Sequence, residues 1–393
     1  MEKRKILFVV DEQMYGGVSV VLRNILKSIN YAKCDVDVLI LHDRGDALAG
    51  HMPKEVGILY GTPFFDVIDC NLKSVLQSGN IRRIWNKLKL VWAMKHKTIG
   101  KYIQKERSKI IQKAYDVEIA FKDGFCALFT AYGEAQKKVS WLHIDYATYD
   151  CTGRYTELFQ EIYSRIDTVV AITPDVRDTF NAIYHCEEKS ILIPNLVDSH
   201  EIMALSKQEN IHFEKDRLHC ICVGRIAEQK AYPRLIEQLG KLKQEHILTN
   251  EVIHIIGDGD QQGVVEQLIH QYHLEDNIDL LGYQANPYPY ICKADMLLLP
   301  SLYEGLGLVL YEALILKVPC FATKFANVEQ TLENGKYGVI VENSEQGIYE
   351  GLKELLQDKE LIKYYQHNVA SYRYTQQEKI VETLDALLLE ESL

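Results

Sequence analysis

The densest set of reactive side chains in the chain is Pro300-Ser301-Leu302-Tyr303-Glu304-Gly305-Leu306-Gly307-Leu308-Val309-Leu310-Tyr311-Glu312-Ala313. Two carboxylates stand eight positions apart, one before a Gly-Leu-Gly turn and one about two turns into the helix that follows. Carboxylates accept pairs of hydroxyl hydrogens from sugars, and a loop at a helix amino end offers backbone N–H groups to phosphate. These residues converge on a ligand that carries sugar hydroxyls and phosphates together, a nucleotide-sugar.

Three further segments carry matching chemistry. In Val223-Gly224-Arg225-Ile226-Ala227-Glu228-Gln229-Lys230, two cations stand just past an apolar run. There they can grip a diphosphate, Arg with a planar fork and Lys as a point charge. Near the amino terminus, Asp11 to Ser19 includes Gly16-Gly17 and leads into a helical pattern, Val20, Val21, Ile25 and Leu26. Paired glycines there let a ligand approach the backbone, and the helix end presents N–H groups to an anion. His143, in Trp141-Leu142-His143-Ile144-Asp145, follows another apolar run, where an imidazole serves either a site or its own core.

Positioning these residues needs strands that end where they begin. Short aliphatic runs recur at Lys5–Val10, Val36–Leu41, Val56–Tyr60, Asp116–Phe121, Val139–His143, Thr168–Ile172 and Ser190–Ile193. They continue at Cys220–Val223, Val252–Ile256, Ile278–Leu281, Met296–Leu299, Pro319–Thr323 and Val339–Val341. Continuous apolar strands alternating with helix-length stretches predict parallel sheets covered on both faces, so the class is α/β with two doubly wound domains. At 393 residues the chain suits two such domains. The expected division is 1–197, a charged linker at 198–218, a second domain at 219–375 and a carboxyl-terminal helix at 376–393. Ligands of such sheets bind outside the carboxyl ends of the strands, where all the segments above fall.

Composition excludes several classes. Hydrophobic residues make up 47% and charged residues 25%, which is a folded protein and not a disordered or coiled-coil one. A net charge of −11 argues against a nucleic-acid binder that works by global attraction to phosphate. Nine cysteines form no C-x-x-C pair and leave one over in any full pairing, so reduced thiols in a cytosol are expected. The apolar run Ile6–Val10 is too short for a signal peptide, and no run reaches the length that spans a bilayer. One segment departs from the overall charge: residues 71–113 hold twelve Lys or Arg against the single acid Glu106. Within it Ile81, Ile84, Trp85, Leu88, Val91 and Trp92 recur at helical spacing, with Arg82, Arg83 and Lys89 beside them. Such a helix either lies on an anionic membrane or acceptor, or packs its Trp face on its own domain with solvated lysines.

The Gly16-Gly17 loop, Gly224-Arg225 with Lys230, the Ile256-Gly257-Asp258-Gly259 turn and the Glu304 to Glu312 motif, in this order, resemble the family-4 retaining glycosyltransferases of the GT-B fold. The resemblance runs from residue 5 to about residue 345, dense in the second half and sparse between residues 42 and 115. It implies two Rossmann-like domains facing across a cleft. It also implies that Arg225 and Lys230 hold the donor diphosphate and neutralise the leaving group. Glu312 would accept the ribose hydroxyls, and Glu304 would contact the transferred sugar with the N–H groups of Gly305, Leu306, Gly307 and Leu308 nearby. Gly16 and Gly17 would let the opposite lobe close on the phosphates, His143 would face the donor sugar, and Tyr283 with Gln284 would meet the base. Two positions depart from the pattern: Ala231 stands where a Gly commonly follows the Lys, and Lys324-Phe325-Ala326-Asn327 replaces a glycine-rich loop before Glu329. Asp258-Gly259-Asp260 also reads as the D-x-D metal motif of the other major glycosyltransferase fold. Its place in the Gly-Asp-Gly turn speaks against that, and basic side chains do the metal's work in this fold.

The activity so implied moves a hexose or N-acetylhexosamine from a nucleotide-sugar, a UDP-sugar by expectation, to a glycan or lipid-linked saccharide of the cell envelope. It proceeds with retention and needs no metal or cofactor beyond its substrate. Arg82, Arg83, Trp85, Lys89 and Trp92 add an anionic membrane surface or the acceptor as a partner. The expected location is the cytoplasm, peripheral on the inner face of the plasma membrane. The alternatives are a nucleotide-sugar epimerase, a soluble sugar-transferring synthase, and a non-catalytic partner subunit of the same fold.

Overall fold

A computed structural model describes residues 2–11, 16–42, 52–68, 70–144, 146 and 155–389. The residues divide into a first unit, Met1–Leu196 with Glu378–Leu393, and a second, Val197–Gln377. Glu12 to Tyr15 of the first glycine loop, Asp145 and Cys151 lie outside the described residues.

Among the described residues the first unit holds seven strands: β1 Arg4–Val10, β2 Cys34–Ile40, β3 Gly57–Tyr60, β4 Val117–Ala120, β5 Lys137–Leu142, β6 Thr168–Ala171 and β7 Ser190–Leu192. They pair in parallel in the order β3-β2-β1-β4-β5-β6-β7. The second unit repeats the plan with β8 His219–Val223, β9 Val252–Ile256, β10 Ile278–Gly282, β11 Met296–Leu299, β12 Cys320–Thr323 and β13 Gly338–Val341, ordered β10-β9-β8-β11-β12-β13. All its ladders are parallel too. The central strands were announced by apolar runs because both faces are covered: Ile6 to Val9, Leu297 to Leu299 and Cys320 to Ala322 are all buried, whereas the edge strands β3, β7, β10 and β13 are partly exposed. In each sheet the order reverses between the unit's first and fourth strands, β1/β4 and β8/β11. This is the topological switch point at which ligands of such sheets bind.

The segment 198–218, expected as a linker, contains the helix Ser199–Leu205 and belongs to the second unit. It is capped by Asp198, whose carboxylate accepts from the Glu201 N–H (2.9 Å), and Asn286 Nδ2 donates to the Leu205 carbonyl (3.0 Å). Its charge pattern carries no strand period, which is why a helix of seven residues escaped notice. The last helix, Gln377–Leu389, returns to the first unit, where Ile380, Leu384, Leu387 and Leu388 are buried and Lys137 Nζ donates to the Leu387 carbonyl (2.9 Å).

Candidate active site

The second unit brings together the residues that follow β8 and β11. After β8 the chain turns at Gly224-Arg225, which rests directly on the Ile256-Gly257-Asp258-Gly259 turn after β9. The Ile226 N–H donates to the Asp258 carbonyl (2.7 Å) and the Gly224 N–H to the Ile256 carbonyl (3.0 Å). A Cβ on Gly257, at φ 146°, would stand 2.0 Å from the Gly224 carbonyl oxygen, so the close approach of the two turns requires glycine. The result is Arg225, exposed and with no ion-pair partner among the described residues, held at the strand end.

Lys230 ends a 3-10 turn, Glu228–Lys230, and reaches Glu304 after β11: Nζ donates to Oε1 at 2.6 Å, and both side chains are largely buried. The same oxygen accepts from Ser301 Oγ at 2.6 Å. A buried carboxylate is tolerated only when paired and hydrogen-bonded, and here one oxygen receives both donors. Ala231, where a Gly is common, adopts the left-handed conformation (φ 52°, ψ 37°) that explains the usual glycine. The Tyr232 hydroxyl is buried with no partner among the described residues, 3.3 Å from where a Cβ on Gly224 would stand.

The helix Leu308–Ile315 starts at Gly307, also left-handed (φ 66°), with no side chain capping its first N–H groups. Four residues into it Glu312 accepts from the Tyr288 hydroxyl (3.2 Å). Gly305 and Leu306 complete the loop between Glu304 and this helix. In the loop that departs from the expected pattern, Phe325 lies over Gly307, its ring 3.1 Å from the position of a Cβ there, and Asn327 takes a left-handed turn at φ 64°. Lys324 pairs with Glu329 (3.0 Å). Tyr283 is exposed after β10, and Gln284 Nε2 donates back to the Leu281 carbonyl (2.8 Å), shaping that loop.

Several positioning residues carry no sequence motif. Arg234 donates to the carbonyls of Pro300 and Ser301 and to Asn343 Oδ1 (2.5–3.0 Å). Asn343 in turn donates to the carbonyls of Leu302 (2.8 Å) and Lys324 (3.0 Å), so one side-chain pair clamps both loops. Gln229 closes the sequence between them, donating to the Tyr303 carbonyl (3.0 Å) and accepting the Leu302 N–H at its own carbonyl (2.8 Å). Arg234 and Asn343 are 109 residues apart, so no period or spacing in the sequence announces the clamp.

The first unit has its own cluster at β1/β4. Lys122, after β4, pairs with Asp11, after β1 (2.7 Å). Asp123 accepts the His143 backbone N–H (3.1 Å) and the Tyr146 hydroxyl (2.8 Å); burial pushes its carboxyl up to about 6 against those hydrogen bonds. His143 is buried against Phe121, ring centroids 5.0 Å apart. Burial first, and Lys122 second, hold its imidazole down at about 3, so it is neutral at physiological pH. Its Nε2 is buried with no partner among the described residues. Gly16 and Gly17 stand at the start of the helix Gly17–Ser28 with open space around Gly16. His143 and both glycines stand among the residues expected from the sequence; Asp11, Lys122 and Asp123, which the structure places beside His143 and β1, do not.

The basic segment forms the helices Leu72–Gln77, Ile81–Lys95 and Ile99–Ile110. Trp85 and Trp92 are exposed, as are Arg82 and Lys89, while Arg83 is half-buried and donates to the Asp66 carbonyl (3.5 Å). The side that packs on the domain is the other one, carrying Lys87, Leu90, Ala93 and Met94. Among the described residues no three His, Cys, Asp or Glu side chains group as metal ligands, and no helix is long and apolar enough to cross a membrane.

Residues 205–372 match the family model described as glycosyl transferases group 1. The chain is 30% identical over 169 residues to a Campylobacter jejuni N-acetylgalactosamine-N,N'-diacetylbacillosaminyl-diphospho-undecaprenol 4-alpha-N-acetylgalactosaminyltransferase, covering 42% of this chain and 45% of that one. It is 23% identical to the N-acetyl-alpha-D-glucosaminyl L-malate synthase of Bacillus anthracis over 86% of each chain. The aligned segments span 65% and 45% of the lengths of two of the curated relatives. Among solved structures, Anabaena Alr3699/HepE in complex with UDP and glucose superposes with a TM-score of 0.69 at 18% identity, covering 98% of this chain and 100% of that one. The fold is therefore GT-B, and residues 205–372, which hold Arg225, Lys230, Glu304 and Glu312, match the family model of the group 1 glycosyl transferases.

Proposed function

We propose that the chain is a retaining, metal-independent transferase that moves a hexose or N-acetylhexosamine from a UDP-sugar to a glycan or lipid-linked saccharide of the cell envelope. The observation that carries this is the Lys230–Glu304 pair at 2.6 Å beside the exposed Arg225 at the β8/β11 switch point. In this reading the donor's diphosphate competes with Glu304 for Lys230, and the carboxylate so released, still held by Ser301, accepts sugar hydroxyls. Arg225 and Lys230 then neutralise the charge that develops on the leaving diphosphate. The C1–O bond to phosphate breaks with its electron pair going to phosphate. The acceptor oxygen bonds C1 from the same face, and its proton passes to the departing phosphate oxygen. Glu312, steadied by Tyr288, accepts the ribose hydroxyls, and Tyr283 and Gln284 border the base. Gly16, Gly17 and the neutral imidazole of His143 are assigned to the donor as well. A membrane-held acceptor brings the enzyme to the inner face of the membrane as a peripheral protein.

A second reading, transfer to a small hydroxy acid, is favoured by the Bacillus relative, which aligns over 86% of both chains. One assay separates the readings. Hydrolysis and binding are measured across UDP-, GDP- and ADP-sugars, then transfer to lipid-linked saccharide and to small hydroxy acids, with Lys230→Ala as control. Turnover of a UDP-sugar, lost in the variant and stimulated by the saccharide, is expected. Stimulation by a hydroxy acid alone selects the second reading, and absence of nucleotide-sugar binding selects a non-catalytic partner subunit.

A further inference from the structure

The helix Ile81–Lys95 is amphipathic twice over, and its richer apolar side faces outward. Inward lie Leu90, Ala93, Met94 and the stem of Lys87, whose Nζ donates to the Val67 carbonyl at 2.9 Å. Outward lie Ile81 (72% exposed), Trp85 (59%), Leu88, Val91 and Trp92 (53%). The helix Leu72–Gln77, packed against it, adds Leu72 and Leu76. Of the fourteen large hydrophobic side chains exposed among the described residues, seven fall in these two helices. Singly exposed apolar residues need no explanation, but a contiguous stripe with two tryptophans needs an occupant.

Charge decides which one. Arg82, Lys89 and Lys95 are exposed on the same helix and Lys73 on its neighbour, and the segment 71–105 has no acid at all. The remainder of the protein is strongly acidic, so this stripe is a cationic island on a chain of net charge −11. Protein–protein interfaces are depleted in lysine, whereas tryptophan flanked by Lys and Arg is the composition of a helix lying in the headgroup region of anionic lipid. We infer that the Leu72–Gln77 and Ile81–Lys95 helices dock flat on an anionic bilayer surface, with Leu76, Ile81, Trp85, Leu88 and Trp92 at the acyl boundary and Arg82 and Lys89 on lipid phosphates. This deepens the peripheral-membrane part of the function proposed above and rests on no step of the transfer chemistry.

The test is sedimentation of the full chain with vesicles of phosphatidylcholine, alone or with about one third phosphatidylglycerol. Binding to the anionic vesicles only, falling at least tenfold as salt rises from about 0.05 to 0.5 M, is expected. Tryptophan emission should shift to the blue on binding. The signal reports Trp85 and Trp92, because the third tryptophan, Trp141, is fully buried. Trp85→Glu with Trp92→Glu, and separately Arg82→Glu with Lys89→Glu, should each weaken binding at least tenfold while the melting temperature stays put, since all four side chains are exposed. Equal binding to neutral vesicles, or binding indifferent to either double variant, overturns the assignment. So does absence of vesicle binding together with tryptophans shielded from a soluble quencher, which would mark a protein partner. Donor hydrolysis, measured alongside without lipid, separates failure of the transferase reading from failure of this one.

Discussion

Two ion pairs in this protein have the same length, and the function proposed above gives them opposite meanings. Arg107 Nη2 meets Glu118 Oε1 at 2.6 Å in the first unit, and Lys230 Nζ meets Glu304 Oε1 at 2.6 Å in the second. Both are buried or nearly so. Glu118 lies inside β4, in the middle of a sheet, and Arg107 is held besides by the Phe129 carbonyl (3.1 Å) and lies over the Phe129 ring (4.4 Å). Burial lifts the Glu118 carboxyl above the usual range and Arg107 pulls it back. Lys230 and Glu304 instead stand past the ends of β8 and β11, where Arg225 is exposed and has no ion-pair partner among the described residues. Distance and burial alone therefore do not identify a site. What distinguishes the two, on the function proposed above, is their place on the sheet: strand interior in one case, the carboxyl edge at the order reversal in the other.

The comparison can be broken at both ends. Glu304→Ala should lower kcat/KM for transfer at least a hundredfold, about 3 kcal/mol of transition-state stabilisation, with little change in melting temperature. Arg107→Met should do the reverse: it leaves the Glu118 carboxylate buried and uncompensated, costing about 3–5 kcal/mol of stability by denaturant titration, while the folded fraction retains its turnover. If Glu304→Ala unfolds the protein, or Arg107→Met abolishes turnover by the folded fraction, the distinction fails.

Ser301→Ala sharpens it. This hydroxyl donates to Glu304 Oε1 and is placed by Thr323 Oγ1, which donates to the Ser301 carbonyl (2.6 Å). Its loss should cost about tenfold in kcat/KM, near 1.4 kcal/mol, mostly in kcat, and Ser301→Thr should restore part of it. An unchanged kcat would remove Ser301 from the positioning set.

The smallest expected effect is a silence. The His143 imidazole, held at about 3 by burial and Lys122, should show no protonation step between pH 5 and 8 by NMR; a step near 6.5 would contradict its environment. Its folded value lies below its unfolded one, so the stability it contributes is full above pH 6.5 and is lost as pH falls towards 3. Asp123 works against it. Its raised value adds stability as pH falls from about 6 towards 4, each group contributing a slope of about 1.4 kcal/mol per pH unit where it acts.

How much of this could be read before the fold was seen follows from what each feature depends on. The strands of the described residues were legible, because a parallel strand covered on both faces is dominated by apolar side chains whatever its neighbours are. Glu304, Lys230 and Arg225 were legible because their chemistry and their place after such runs are properties of the chain. The clamp of Arg234 and Asn343, more than a hundred residues apart, was not, nor was Tyr288 behind Glu312, because each depends on loops that meet only when the sheet is ordered. The helix Ile81–Lys95 marks the boundary most clearly. Periodicity announced an apolar face with two tryptophans but not its direction, since period is blind to which side has a domain behind it. Residue type and order along the chain determined the elements and the chemistry available at strand ends. Packing decided which pair lies inside a strand, which stands at a strand end and which face stays open, because burial and proximity are properties of the assembled sheets and not of any segment.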